Sequence, residues 1–366
     1  MILNEIYWLS TKYDRLINIR LILIFINQES KILFNIYKKI VFNLPPEVAH
    51  DYTLKIAEVI YKSFLVKFLK STPNIEPINK LNIRFENKLG LAAGFDKNGD
   101  YLNFINNIGF GFIEIGTVTP YPQLGNKKPR VFRIAEQDAV INHLGFNNKG
   151  IIHLKKNLIN FMDKKTTPIG VNIGKNATTS IENAHEDYIY CMEKIYEYAD
   201  YLTINISSPN TKELRKLHHE DRLSTFLENI KKSHESLEKK HKKLTPLFLK
   251  ISPDIDQDDI ASVSSMIKQF DIHGVIATNT TIDKEIIQNK TYRDYEGGVS
   301  GKPLFVKSNS IVKHMRENLP DILMIGCGGV NSRKTAQEKI NQGCDLVQIY
   351  TGLIYKGTKI INEITS

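Results

Sequence analysis

A dense run of amide and hydroxyl side chains, Asn205-Ile206-Ser207-Ser208-Pro209-Asn210-Thr211, follows an apolar segment at residues 201–204. The apolar segment is typical of a buried strand. Burying so many polar groups costs free energy unless they bind something polar. Ligands of α/β proteins lie at the carboxyl ends of parallel strands. The run therefore indicates a small-molecule site. Ser208 is its candidate general base, or alternatively a residue that hydrogen-bonds the ligand or the turn.

Polar or glycine-rich residues also follow most of the other apolar segments. The small residues at 92–94 would let a planar ligand approach the backbone, and Lys97 supplies a positive charge beside them. Lys250 lies within an apolar segment, where it needs an anionic partner. A capped turn explains any one of these segment ends, but their convergence on one face indicates a site. Further candidates at such ends are Thr117, Asn172, Thr278, Asn279 and Thr280.

Glycines at the last two apolar segments indicate a phosphate site. Residues 326–330 read Gly-Cys-Gly-Gly-Val, residues 350–352 read Tyr-Thr-Gly, and residues 297–303 form a further glycine-rich loop. Neither the Rossmann pattern nor the P-loop pattern is present. Loops after the last two strands of a (β/α)₈ barrel commonly bind phosphate through backbone N–H groups. Because Lys250 could stabilise negative charge on a reduced flavin ring, the pattern favours FMN.

The elements that would position these residues are eight short, Ile- and Val-rich segments that alternate with helical or polar stretches. Such segments are typical of parallel strands buried on both faces. The sequence therefore predicts an α/β fold with a closed (β/α)₈ barrel, and an open doubly wound sheet is the alternative. The predicted strands are Leu89–Gly94, Phe112–Thr117, Ile169–Ile173, Leu202–Ile206, Leu247–Ile251, Val275–Thr278, Leu323–Gly326 and Leu346–Tyr350.

The amino-terminal part of the chain has a different pattern, rich in Ile, Leu, Phe, Tyr and Lys. Pro46 is expected to open a helix that runs from Glu47 to about Leu69. The apolar side of that helix would either pack on the barrel or lie in a membrane interface. Its predicted members are Val48, Tyr52, Ile56, Val59 and Ile60.

The overall composition excludes few classes of protein. The formal charge of +9 suits an anionic ligand, a membrane surface or nucleic acid alike. The sequence contains no apolar run of 18 or more residues, so it predicts no bilayer-spanning helix. The 3 cysteines form no CxxC pair and no cluster with metal-ligand spacing. We therefore expect no metal site and no disulfide framework.

Several motifs together resemble dihydroorotate dehydrogenases of the quinone-dependent, membrane-associated class. The resemblance covers roughly residues 34–364. The serine at position 208 resembles the residue that this class carries there, whereas the soluble classes usually carry cysteine. His143 departs from the arginine that is common in bacterial relatives. The motifs occupy residues 89–97, 113–120, 128–133, 141–148, 172–176, 205–211 and 276–281.

The resemblance implies oxidation of (S)-dihydroorotate to orotate in pyrimidine biosynthesis. Ser208 would remove the C5 proton while a hydride passes from C6 to N5 of FMN, and Thr211 and Phe146 would line the proton's exit. The implied substrate-binding set is Lys97, Asn142, His143, Leu144, Gly145, Phe146, Asn205, Asn210, Asn279 and Thr280. The implied FMN contacts are Ala92, Ala93, Gly94, Lys97, Thr117, Asn172, Asn205, Lys250, Thr278, Gly301, Gly329, Tyr350 and Thr351.

The same resemblance implies how the chain is divided and where it works. Residues 1–33 are an extension of uncertain role, 34–75 form helices that contact quinone and membrane, and 76–366 form the FMN barrel. His50, Arg133 and Tyr350 would lie near the quinone. The implied protein is a monomer that binds one FMN and no nucleic acid. It would be attached peripherally to the cytoplasmic face of a bacterial inner membrane, with the mitochondrial inner membrane as the alternative.

Two other functions remain open at this point. A flavin-dependent tRNA dihydrouridine synthase would also be a basic barrel. It would be expected to carry a catalytic cysteine in a barrel loop and a C-terminal helical RNA-binding domain, whereas Cys327 lies among the phosphate-loop glycines. A degenerate barrel that serves as a membrane scaffold would have lost the polar strand ends, which are intact here.

Overall fold

The computed structural model describes residues 38–62, 76–211, 214–218 and 220–366. The predicted extension at 1–33 lies outside the described residues, and so does the expected continuation of the first helix from residue 63 to about Leu69.

Short strands, mostly three to five residues long, build the described chain. Apolar β-branched and aliphatic residues dominate those that are fully buried, as expected for strands covered on both faces. In chain order they are β1 (Ile78–Lys80), β2 (Ile83–Phe85), β3 (Leu89–Leu91), β4 (Phe112–Val118), β5 (Val131–Ile134), β6 (Ala139–Asn142), β7 (Ile169–Ile173), β8 (Tyr201–Asn205), β9 (Leu247–Ile251), β10 (Gly274–Ala277), β11 (Gly298–Gly301), β12 (Leu323–Cys327) and β13 (Leu346–Ile349).

Eight of these strands close into a parallel barrel in the order β3-β4-β7-β8-β9-β10-β12-β13, with β13 pairing back onto β3. Each of the eight predicted segments supplies one barrel strand. The barrel prediction is therefore confirmed, and the open doubly wound sheet is wrong. Several strands end before their predicted limits, because the polar residues at their carboxyl ends belong to the loops.

Two smaller sheets complete the strand architecture. The antiparallel hairpin β1–β2 precedes the barrel. Phe85 of this hairpin packs edge-on against Phe112 at a ring distance of 5.3 Å. Since Phe112 begins β4, the hairpin covers the amino-terminal end of the barrel. At the opposite end, β5, β6 and β11 form an antiparallel sheet beside the mouth.

Helices surround the barrel and alternate with its strands. Residues 38–42 are helical at the start of the described chain. The further helices are α1 (Pro46–Lys62), α2 (Leu102–Ile105), α3 (Ile151–Phe161), α4 (Ala184–Ile195), α5 (Glu220–His241), α6 (Gln257–Gln269), α7 (Phe305–Asn318), α8 (Arg333–Asn341), α9 (Thr351–Lys356) and α10 (Lys359–Thr365). Short 3₁₀ turns occupy Ala135–Gln137, Met162–Lys164, Leu214–His218, Lys290–Tyr292 and Lys302–Leu304.

Helix α1 begins at Pro46 as predicted, and most of its predicted apolar side does not pack on the barrel. Leu54, Ala57, Ile60 and Tyr61 lie in the main hydrophobic core. Three residues assigned to the apolar side are instead exposed, namely Val48 (51%), Tyr52 (46%) and Val59 (67%). On the other face, Tyr61 packs edge-on against Phe104 of α2 at a ring distance of 5.3 Å. The helix therefore has one buried and one exposed apolar stripe. Among the described residues, no helix is both long and apolar enough to span a membrane.

Candidate active site at the mouth of the barrel

A cavity of about 360 Å³ opens at the carboxyl ends of the barrel strands. Its lining includes Asn205 and Lys250 of the barrel, His50 of α1 and Arg133 of β5. The volume lies within the range typical of small-molecule sites. Barrel mouth, antiparallel sheet and first helix thus enclose one continuous space.

Most of the predicted site residues line this cavity. Asn172, His143 and Thr211 do not. Asn172 is fully buried beneath the mouth, and the side chain of His143 is 31% exposed, 3.5 Å from Glu296. The predicted residues that line the cavity are His50, Ala92, Ala93, Gly94, Lys97, Thr117, Arg133, Asn142, Leu144, Gly145, Phe146, Asn205, Ser208, Asn210, Lys250, Thr278, Asn279, Thr280, Gly301, Gly329, Tyr350 and Thr351.

Asn205, the last residue of β8, is the centre of a buried polar network. Its Nδ2 donates to Thr117 Oγ1 at 3.0 Å and to Asn172 Oδ1 at 3.1 Å. Its Oδ1 accepts from the Ser207 hydroxyl at 2.9 Å. Asn279 Nδ2 also donates to that hydroxyl, at 3.0 Å. Because each amide is held by several partners, the network gives the mouth a defined polar surface.

Ser208 lies beside this network and is 5% exposed. Its Oγ accepts the backbone N–H of Asn210 at 3.3 Å. Asn210 Nδ2 in turn donates to the side-chain oxygen of Asn142 at 2.9 Å. Among the described residues, no carboxylate or imidazole forms a hydrogen bond with Ser208. A proton taken up by Ser208 would therefore have to leave through neutral groups or solvent.

Several buried polar atoms in the loops around Ser208 have no hydrogen-bond partner. They include Asn147 Oδ1, Asn210 Oδ1, Thr211 Oγ1 and Thr280 Oγ1. A buried polar atom without a partner costs about 1–3 kcal/mol. A polar ligand bound among these loops would supply hydrogen-bond partners that the protein itself does not provide there.

Lys97 supplies the positive charge of this region. Its Nζ donates to the carbonyl of Gly94 at 3.1 Å, and no carboxylate among the described residues lies within ion-pair distance. Burial lowers the pKa of Lys97 below its ordinary value, whereas the negative charges of Glu47 and Asp51 act in the opposite direction. A buried ammonium group of this kind suits an anionic ligand.

The interior below the mouth contains a charged layer. Lys250 Nζ lies 3.7 Å from the carboxylate of Glu114, which is fully buried. Asn172 Nδ2 and Gln348 Nε2 donate to this carboxylate at 2.7 and 2.8 Å. Lys250 therefore has the anionic partner that its position requires. Sequence reasoning missed Glu114 and Gln348, although a charged or amide residue inside an apolar strand could have revealed both.

The predicted phosphate loops meet at one side of the cavity. Gly301, Gly328 and Gly329 have positive φ angles of 93°, 121° and 77°, a conformation that favours glycine. Ser300 and Thr351 bring two of these loops together through a hydroxyl–hydroxyl hydrogen bond of 2.8 Å. Ser300 was not among the predicted residues.

The three residues predicted near the quinone line the part of the cavity close to α1. His50 Nε2 lies 2.8 Å from the carbonyl of Phe95, and because a carbonyl only accepts, Nε2 carries the proton. Burial and the charge of Lys97 lower the pKa of His50 to about 4. Arg133 donates to the carbonyls of Phe42 and Leu44 at 2.9 and 3.1 Å. The Phe95 ring separates His50 from Tyr350, with ring distances of 5.0 and 5.9 Å.

Fold and site together define a (β/α)₈-barrel protein with a small-molecule site at the carboxyl ends of its strands. The family model for dihydroorotate dehydrogenase matches residues 77–366. The chain belongs to the dihydroorotate dehydrogenase family. This membership decides between the two flavin-enzyme families considered from the sequence, in favour of the first.

Named proteins from several organisms are similar to this chain. A "Dihydroorotate dehydrogenase (quinone)" of Buchnera aphidicola is 45% identical over 333 residues, which are 90% of this chain and 98% of the relative. One from a Psychrobacter species is 42% identical over 331 residues, or 90% of this chain and 95% of the relative. The crystal structure of DHODH from Eimeria tenella in complex with ferulenol has a TM-score of 0.78 and 34% identity. It covers 89% of this chain and 93% of that one.

Proposed function

We propose that this protein oxidises (S)-dihydroorotate to orotate in pyrimidine biosynthesis and passes the electrons through FMN to a quinone. The observation that carries the proposal is the single cavity, which reaches from Ser208 through the glycine loops to His50 on α1. Residues proposed to bind the substrate, the flavin and the quinone all line this one space. The curated relatives with similar chains are named quinone-linked dihydroorotate dehydrogenases.

The chemistry of the cavity fits FMN. Glycines with positive φ at 301, 328 and 329 leave room for a phosphate beside backbone N–H groups. The small residues at 92–94 would leave room for a flat ring, and Lys250, which is ion-paired with Glu114, lines the same cavity. FMN, when bound, would accept a hydride from the substrate and pass electrons to the quinone. The residues proposed to hold it directly are Ala92, Ala93, Gly94, Lys97, Thr117, Asn205, Lys250, Thr278, Gly301, Gly329, Tyr350 and Thr351. Asn172 is proposed to act from beneath the mouth, through its hydrogen bonds with Thr117 and Asn205.

The groups around Ser208 fit dihydroorotate. Lys97 would bind the substrate carboxylate, since it lacks a carboxylate partner among the described residues. Amides provide both donors and acceptors for the substrate's ring amides, and Asn210 and Thr280 offer buried oxygens without partners. The proposed substrate set is Lys97, Asn142, His143, Leu144, Gly145, Phe146, Asn205, Asn210, Asn279 and Thr280.

Ser208 is the proposed base for the C5 proton. Its burial excludes bulk water from the hydroxyl, and Phe146, which is 8% exposed, also lines the cavity. Thr211 carries a buried hydroxyl without a partner three residues further along the chain. We propose that Thr211 and Phe146 border the route by which the proton reaches solvent.

The quinone would approach from the side of α1. His50 is neutral near pH 7 because its pKa is about 4, so its Nδ1 is available as an acceptor. The exposed stripe with Val48 and Val59 lies on the outer face of the same helix, beside the exposed Lys55 and Lys62. Apolar residues flanked by lysines are typical of helices in a membrane interface. We therefore propose that residues 34–75 bind quinone and membrane, while 76–366 form the FMN barrel. The protein would act as a monomer on the cytoplasmic face of a bacterial inner membrane.

The proposal is tested by measuring the rate of orotate formation by the purified full-length protein with different electron acceptors. Orotate formation from dihydroorotate should be rapid with a ubiquinone or menaquinone analogue and negligible with fumarate or NAD⁺. Orotate formed only with fumarate or NAD⁺ would contradict the quinone assignment. If no acceptor supported orotate formation, the substrate itself would be wrong.

A further inference from the structure

Helix α8 carries a lysine that is completely enclosed by protein. Lys339 has no exposed surface. Its Nζ donates to Ser308 Oγ at 2.9 Å and to Asn309 Oδ1 at 2.7 Å. No carboxylate of the described residues lies within ion-pair distance of this ammonium group. A buried charge with only neutral partners is costly, so an anion nearby would explain why the charge is kept.

The neighbours of Lys339 support the glycine loop after β12. Ser308 Oγ donates to the carbonyl of Cys327 at 2.7 Å, the last residue before that loop. The same oxygen lies 2.9 Å from the position that a Cβ on Gly328 would occupy. The ring of Phe305 lies 5.4 Å from the Nζ of Lys339. The Cα of Phe305 would lie only 2.5 Å from a Cβ placed on Gly329. Each loop glycine is therefore backed by a residue that contacts the lysine.

The position of Lys339 separates it from the reacting groups. It does not line the cavity, so it cannot touch substrate or flavin directly. Burial lowers its pKa to about 8, against the opposing influence of Cys344 and Cys327. The group is thus still mainly protonated at neutral pH, and an anion beside the loop would strengthen that protonation.

We propose that Lys339 is a positioning residue that balances the charge of the cofactor's phosphate through the glycine loop at 328–329. The inference rests on the FMN cofactor proposed above. Its chain of hydrogen bonds to Ser308 and Cys327 holds the loop in place, while its charge attracts the phosphate across a layer of protein that screens poorly. The residue therefore gives the site a preference for FMN over riboflavin, which lacks the phosphate.

Two substitutions remove the free charge in different ways. Lys339→Met replaces it with an apolar chain of similar length. Asn309→Asp keeps the lysine and the shape of its partner, but it supplies a carboxylate that neutralises the ammonium locally. Lys334→Met is the matched control, since Lys334 lies on the same helix and is exposed. It changes the net charge as much as Lys339→Met does.

The measurement is the affinity of each flavin-free, full-length protein for FMN and for riboflavin. Quenching of the flavin fluorescence on binding is the readout. In Lys339→Met and Asn309→Asp, FMN affinity should fall by about 10–100-fold while riboflavin affinity changes by less than about threefold. Lys334→Met should match the unsubstituted protein. If flavin removal unfolds the proteins, the FMN dissociation rate of the loaded forms gives the same comparison, and it should rise about tenfold or more.

The outcomes separate this inference from the proposal on which it rests. An unchanged preference for FMN in the isosteric Asn309→Asp protein would overturn the role of Lys339, even if Lys339→Met failed to fold. Equal losses for FMN and riboflavin would also overturn it, because they would indicate a structural role. If the unsubstituted protein showed no preference for FMN over riboflavin, the cofactor assignment itself would fail, and this inference with it.

Discussion

Ser208 and Lys97 show how burial prepares single residues for chemistry in this site. The hydroxyl of Ser208 is nearly excluded from solvent and hydrogen-bonds a backbone N–H. Lys97 is an ammonium group whose hydrogen-bonding partner is a carbonyl oxygen. Both groups therefore have capacity left for a ligand. Sequence reasoning identified both, because each lies at the polar end of a predicted strand. It missed Glu114 and Gln348, which lie inside apolar strands as Lys250 does, because only the polar strand ends and Lys250 were considered.

Replacing Ser208 by alanine tests its role as the base. Flavin content should be unchanged, because Ser208 lies outside the glycine loops. Reduction of the bound flavin by dihydroorotate should slow by about 10²–10⁴-fold, the usual contribution of general-base catalysis. Anaerobic stopped-flow absorbance measures this step. Ser208→Cys keeps a group that can take up a proton and should be less impaired; equal rates in alanine and unsubstituted proteins would remove Ser208 from the mechanism.

The depressed pKa of Lys97 predicts a pH dependence of substrate binding. The ammonium form binds the carboxylate, so affinity should be constant at low pH and should decrease as the pH rises through the lowered pKa. The decrease should approach about tenfold per pH unit. Titrating the protein with orotate at several pH values measures it. Lys97→Met should bind weakly at every pH with little dependence, whereas the same decline in that variant would show that another group titrates.

At the scale of elements, an ion pair connects α1 to the loops of the substrate region. The Arg130 side chain is 5% exposed, and its Nη2 lies 2.9 Å from Glu47 at the start of the helix. Its Nη1 donates to the carbonyls of Leu124 and Asn126 at 2.6 and 2.7 Å. Asn126 Nδ2 in turn donates to the carbonyl of Asn210 at 3.4 Å. The guanidinium group therefore joins the helix near the proposed quinone site to the loop beside Ser208.

Glu47→Gln should weaken this connection. The substitution leaves the buried guanidinium without its negative partner, and we expect the free energy of unfolding to fall by about 2 kcal/mol. Urea unfolding, monitored by fluorescence, measures the decrease in the free energy of unfolding. Lys128→Met is the control, because the Lys128 side chain is 66% exposed and lies 3.9 Å from the same carboxylate. If both variants were as stable as the unsubstituted protein, the pair would contribute nothing measurable.

The elements also show which features of the fold the sequence could reveal. Barrel strands such as Ile169–Ile173 were predictable because both faces are buried and the apolar run is continuous. The sheet of β5, β6 and β11 was missed, since Val131–Ile134 is mostly half-buried and lacks a clear period. Which apolar residues of α1 pack on the barrel was left open, because the helix has apolar residues on two sides. Hydrophobic pattern alone cannot tell which of them meets the barrel.

At the scale of the whole molecule, one cavity connects the loops around Ser208 with the inner face of α1. Phe95 lies between His50 and Tyr350, so aromatic rings separate the proposed flavin region from the helix. Such an arrangement lets a charged substrate and an apolar acceptor approach from different sides. The exposed stripe of α1 would then set how the acceptor side of the cavity is oriented towards a membrane.

Replacing the exposed Val48 and Val59 by serine tests that orientation. Neither side chain belongs to the core, so the fold and flavin reduction by dihydroorotate should be unaffected. Binding to phospholipid vesicles should weaken by about tenfold, because two apolar side chains that would be partly buried in the membrane are lost. Turnover with long-chain ubiquinone in vesicles should fall more than turnover with a soluble quinone analogue. Cosedimentation measures the binding, and unchanged association would place the membrane contact elsewhere.

The central claim is that one cavity supports both halves of a dihydroorotate–quinone reaction. Its most direct test is an anaerobic stopped-flow trace of the flavin absorbance, first on mixing with dihydroorotate and then on mixing with a quinone analogue. We predict rapid bleaching by dihydroorotate and rapid recovery with the quinone. Bleaching without recovery would contradict the quinone half, and bound flavin that dihydroorotate failed to bleach would contradict the account as a whole.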